Sequence, residues 1–163
     1  MKRILLLALA LMLLASSARA DSYAFGSFEL TVPEDVQVEE YESTCTVVRD
    51  QTRVVVQVIQ QELAEDGQAQ VRKLMTIYNE TVSDITDVPL VAELYGAMGL
   101  IEDRFDEGVH EIPVLILRDG ELFILSGYSL DGDTLAVHTL LTELLSGVSL
   151  DGKPILPAAT AED

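Results

Sequence analysis

Apolar and polar positions change period several times along this chain, and the changes mark its elements. Phe28-Glu29-Leu30-Thr31-Val32 alternates with a period of two and stops at Pro33, the pattern of a half-buried strand. Val36, Val38 and Tyr41 continue that period through an acidic stretch, which predicts an exposed or edge segment. Thr44 to Val48 is rich in β-formers, and 49–52 reads as a turn. Arg53 to Gln60 follows as a strand. Its centre, Val54-Val55-Val56, is apolar on both faces and predicts a central strand covered on each side.

After Glu65-Asp66-Gly67 the period becomes helical. Val71, Leu74, Met75, Tyr78, Val82 and Ile85 recur at spacings of three and four, predicting an amphipathic helix from Gln68 to about Ser83. Residues 84–108 are ambiguous. Leu90, Val91, Leu94, Tyr95 and Met98 suit a short helix after Pro89, whereas Gly96 and Gly99 suit a strand that turns at the glycines. Ile112 to Leu117 reads as a strand, Asp119-Gly120 as a hairpin turn, and Leu122 to Tyr128 as the returning strand, apolar on both faces. Asp131 or Asp133 can cap a helix running from about Thr134 to Ser146 and ending at Gly147. Its inner face is expected to carry Leu135, His138, Leu141, Leu144, Leu145 and Val148. Residues 151–163 lack a period and read as a flexible tail. Strands joined by short turns, with two or three helices, predict an α+β fold with a mainly antiparallel sheet.

The start of the chain supplies an address. Met1-Lys2-Arg3 is basic, Ile4 to Ala15 is apolar, and Ala18-x-Ala20 before Asp21 fits a signal-peptidase site. Residues 1–20 are thus read as a cleaved secretory signal and 21–150 as one α+β domain. The apolar run is about 12 residues, against roughly 20 for a membrane-spanning helix. No cysteine follows the small residues, so a lipid anchor is not indicated. The expected location is the periplasm or the exterior of a bacterial cell.

Charge narrows the partners. The 163 residues carry a net charge of -18, and loss of Lys2, Arg3 and Arg19 takes it to -21. Such a surface disfavours nucleic acid and anionic lipid. It favours cations, basic proteins or neutral ligands. Cys45 is the single cysteine, which excludes an intramolecular disulfide and a C-x-x-C redox site. It reads as a small buried hydrophobe, or else as a thiol that pairs with a partner.

Candidate chemistry is sparse. His110 lies beside Glu107 and Glu111 and could form a hydrolase site, while His138 falls within the last helix. No H-E-x-x-H pair, G-x-S-x-G elbow or phosphate loop occurs. Glu102, Asp103, Asp106, Glu107, Asp131 and Asp133 are hard oxygen ligands for a weak Ca²⁺ site. An EF-hand register from Asp131 fails at Leu135 and Thr142. No other cofactor is expected.

Phe28-x-Leu30-x-Val32-Pro33-Glu34 resembles the opening strand of the PsbP-like family. The order of β group, helix, β group with Asp119-Gly120, and a final helix ending Leu144-Leu145-Ser146-Gly147-Val148 is similar too. The resemblance covers most of residues 25–150. It implies an antiparallel sheet flanked by helices and a role in protein binding rather than catalysis. The lipid-attachment cysteine of DcrB-like envelope relatives is missing. Ile112-Pro113-Val114, Asp119-Gly120-Glu121 and Gly127 also resemble the second half of a thioredoxin-like fold, which implies a degenerate binding domain of that type. The residues thus point to a non-catalytic binding or assembly factor with an envelope protein as partner. A small hydrolase near His110 and a structural or stress protein dominated by charge are the alternatives.

Overall fold

The computed structural model describes residues 21–103 and 108–158. The signal with Ala18 and Ala20, together with Asp106, Glu107 and residues 159–163, lies outside the described residues.

Among the described residues, two antiparallel sheets and two helices form the fold. The smaller sheet contains β1 (Ser22–Phe25), β2 (Phe28–Thr31), β10 (Val148–Leu150) and β11 (Lys153–Pro154), in that order. The larger contains β3 (Gln37–Tyr41), β4 (Thr44–Arg49), β5 (Thr52–Gln61), β6 (Ser83–Val88), β7 (Tyr95–Leu100), β8 (Glu111–Arg118) and β9 (Gly120–Ser129). Its order is β3-β4-β5-β9-β8-β7-β6. The helices are α1 (Gly67–Tyr78) and α2 (Thr134–Ser146). Every strand pair is antiparallel. The α+β expectation is therefore met, and the thioredoxin-like alternative, which needs parallel pairing, is set aside.

The large sheet separates two apolar cores. On one face Val54, Val56, Ile112, Val114, Ile116, Phe123 and Leu125 meet α2 and the small sheet. Phe28 stacks on Phe123 with centroids 4.9 Å apart, and Phe25 meets the same ring edge-on. Gly127 lets α2 approach, since a Cβ there would lie 2.8 Å from Val137. On the other face Leu115, Leu117, Leu122 and Ile124 meet Val71 and Met75 of α1. β8 and β9 are thus buried on both faces, which explains their unbroken apolar runs.

Several expectations change in detail. The helical stripe reaches Ile85, but α1 ends at Tyr78. Asn79 takes an extended conformation and accepts the Thr81 N–H at 2.8 Å, an Asx turn that stops the helix. Val82 and Ile85 still pack on the α1 core, from the turn and from β6. The ambiguous 84–108 stretch supplies strands β6 and β7. A Cβ at Gly99 would lie 2.5 Å from Val82, so glycine is required there by close packing, and no helix forms.

In β5, Val54 and Val56 are buried while Val55 is only half-buried, because α1 covers β7 and β8 rather than β5. In α2 the inner face is Val137, Leu140, Leu141, Leu144 and Leu145. Leu135 is 74% exposed and His138 faces outward. Leu141, Leu144, Leu145 and Val148 are buried as expected, but the first turns of the stripe run through Val137 and Leu140, each two residues on from Leu135 and His138. The segment read as the start of a tail contains β11. Ile155 is 0% exposed and donates its N–H to Val148, so the small sheet extends past 150.

Candidate functional site

The polar groups with the greatest chemical potential gather on the α1 face, at the end of the sheet beyond the helix C-terminus. Register places Arg53 of β5 opposite Tyr128 of β9, and Tyr128 opposite Glu111 of β8. One further step reaches Ile101, which exchanges both backbone hydrogen bonds with Glu111. Pro113 has no N–H to donate, so the β7–β8 ladder lapses between Met98↔Val114 and that bridge.

Glu111 is 3% exposed. Its Oε1 accepts from the Tyr78 hydroxyl at 2.6 Å and from the Ser126 hydroxyl at 2.6 Å. Tyr78 is the last residue of α1, so the network pins the helix end to two strands. Ser126 donates straight to a carboxylate with no imidazole between them. That arrangement orients a hydroxyl but gives it no base matched to nucleophilic attack. His110 precedes β8 with Nδ1 buried and unpartnered, as is one terminal guanidinium nitrogen of Arg53. Sequence reasoning found Glu111 but missed Ser126 and Tyr78. The signal was present: a serine inside a strand buried on both faces must find a partner.

The carboxylates proposed as cation ligands perform local duties. Asp103 accepts the Gly108 N–H at 2.7 Å and closes the loop after β7. Asp133 caps α2 by accepting the Ala136 N–H at 3.0 Å. Asp131 accepts from the Ser129 hydroxyl and the Asp133 N–H, which hold its carboxyl below the usual carboxylate range. Glu102 is exposed in the turn beside Asp103. The two acidic loops are neighbours, since a Cβ on Gly132 would lie 3.9 Å from the Gly108 carbonyl oxygen. Among the described residues, however, no three Asp, Glu, His or Cys side chains are placed to hold a metal ion. Asp21 survives as the first described residue, its carbonyl accepting the Val32 N–H.

A second feature lies at the opposite end of the sheet. A cleft of about 280 Å³ opens between β1 and the β3–β4 hairpin, lined by Tyr23, Phe25, Glu40, Glu42, Cys45 and Val58. Cys45 is buried, and burial, reinforced by Glu40, pushes its thiol up to about 11. At ordinary pH it is a protonated thiol and a poor nucleophile.

No protein-family model and no curated protein matches the chain. Among solved structures, a Bacteroides thetaiotaomicron VPI-5482 protein aligns with a TM-score of 0.52 at 11% identity. The alignment covers 80% of this chain and 48% of that one, so the chain spans about half its length. LpqN of Mycobacterium tuberculosis, described as involved in cell envelope biogenesis, aligns with a TM-score of 0.43 at 12% identity, over 83% of this chain and 87% of LpqN. The first likeness concerns the fold alone, and the second carries no argument. Among the described residues no helix is long and apolar enough to cross a membrane.

Proposed function

We propose that this chain is an exported binding or assembly factor of the bacterial envelope, acting by contact with a basic protein partner. The observation that carries this reading is the uncovered half of the large sheet. Among the described residues α1 roofs the β7–β8–β9 side and leaves the same face of β3, β4 and β5 uncovered. That face presents Tyr41 at 74% and Ile59 at 45% exposure, with half-buried Val48, Val55 and Gln57 between them. Apolar and aromatic side chains in a polar setting are the composition of a protein-binding patch. The charge of -18, or -21 after signal removal, selects a cationic partner. Glu111 supports the same reading, because its carboxylate is held inside the fold by Tyr78 and Ser126 rather than offered to a substrate. The PsbP-like order of elements is consistent with a binding role.

A photo-crosslinker at position 57, used in intact cells, tests the proposal. The expected product is one predominant adduct with a basic envelope protein, lost when Ile59 is changed to Asp. Failure to form a discrete adduct, or an adduct indifferent to the Ile59 change, would overturn it.

A further inference from the structure

Resting on the binding reading above, we propose that the outer edge of β3 receives an extended, lysine- or arginine-rich segment of the partner as an added strand. β3 is terminal in the large sheet and pairs with β4 over Gln37–Tyr41 without a register shift. Alternate residues of such a strand turn their N–H and C=O groups outward, a row that another extended chain can pair. The opposite edge is different. β6 has a register shift between Ser83 and Thr86, and Asp87 is occupied by Arg72 and Gln68. Bulged and pre-engaged, it is the poorer template.

The side chains along β3 state what the incoming strand must carry. Glu39 and Tyr41 share the uncovered face, in register with Thr46 and Thr44. Glu40 lies on the other face, opposite Cys45, and Glu42 follows in the turn. Carboxylates therefore flank both faces of the edge. A second copy of this chain would set these acids against like charge, a destabilising cross-strand arrangement, so the edge rejects itself and accepts a basic chain.

The cleft beside β1 adds a second determinant. Glu40 and Glu42 border it, while Cys45, Val58 and Phe25 supply apolar lining. It suits a lysine from the added strand, whose aliphatic stem packs on apolar atoms while its ammonium meets the carboxylates. Main-chain pairing with alternate side chains seated in pockets is the general mode of strand addition.

The test uses the purified chain and two eight-residue peptides of alternating lysine and threonine. One is unmodified, and the other is N-methylated at every second residue, which preserves charge but blocks pairing. Fluorescence anisotropy should show the unmodified peptide binding about tenfold tighter or more, a difference of about 1.4 kcal/mol. Hydrogen exchange should slow in residues 37–41 and not in 83–88. The triple change E39Q/E40Q/E42Q should weaken binding about tenfold, whereas E80Q/D84Q/E102Q, with the same charge loss near β6, should not. Equal binding of both peptides with unchanged exchange at β3, protection at β6 instead, or no binding would each overturn strand addition. A crosslinked partner at position 57 that survives E39Q/E40Q/E42Q would overturn it while leaving the broader binding reading intact.

Discussion

Replacing Glu111 measures whether the buried carboxylate is an architectural tie. Two hydroxyls, from Tyr78 and Ser126, donate to the same Oε1 at 2.6 Å, and Glu111 and Ser126 are 3% and 8% exposed. Glu111→Ala deprives both hydroxyls of that acceptor and leaves a void between β8 and the end of α1. Loss of a partner for a buried polar group costs about 1–3 kcal/mol. Tyr78 lies nearer the surface and can recover water, so its share falls at the low end. The expected total is about 3 kcal/mol, or a Tm lower by roughly 6–12 °C for a chain of this size. Glu111→Gln keeps a carbonyl oxygen in place and should cost about 1 kcal/mol or less. The assay is urea denaturation of both variants, with Tyr78→Phe completing a double-mutant cycle. The reasoning is refuted if the Ala variant lies within about 0.5 kcal/mol of the parent, or if Gln costs as much as Ala.

Two further predictions address the other core. Phe28→Ala removes the ring that stacks on Phe123 and joins the two sheets, and should cost about 3–5 kcal/mol by denaturation; a loss under about 1.5 kcal/mol would mean the small sheet is only loosely attached. Cys45 should make stability fall at alkaline pH, because its thiol has a value of about 11 when folded against 9.0 ordinarily. A raised value favours the folded state while the thiol is protonated, so that contribution is complete below pH 9 and disappears as pH rises through 11. It amounts to roughly 2–3 kcal/mol. The stability difference between the parent and Cys45→Ala should shrink by about that amount between pH 8 and 11, and a flat difference would refute it.

The legibility of this chain followed the number of faces each segment buries. β2, with one face in the core and one in solvent, wrote its alternation into Phe28 and Leu30, and Val32 just after the strand continues it. The β8–β9 hairpin was equally plain, since continuous apolar runs around Asp119-Gly120 admit little else. β7 was not plain, because its glycines look like breaks, whereas Gly99 admits Val82 and Met75 and Gly96 admits Leu90 and Val88. α1 was overextended because Val82 and Ile85 bury on the same core as its stripe while belonging to a turn and a strand. Periodicity reports what a residue packs against, not which element carries it. The candidate site was legible only as far as Glu111. Its partners come from the end of a helix and the middle of another strand, and no local spacing encodes that convergence. The acidic pairs are legible only as charge: Asp103, Asp131 and Asp133 also serve a loop, a turn and a helix cap, duties that composition does not reveal.

That division of labour bears on how charge acts in this protein. Several carboxylates serve caps and turns, and Arg49 and Arg72 each hold acids nearby. At physiological ionic strength fields fade over about 8 Å, so the net charge as a whole does not hold a docked chain. It speeds encounter and keeps copies apart. Retention must come from carboxylates within a few ångströms of the contact, and at an open, unbulged edge those are Glu39, Glu40 and Glu42. A sheet with an uncovered face and a regular free edge invites self-association. The acids placed along that edge oppose it, and the same placement leaves a basic extended segment as the chain that this edge can accept.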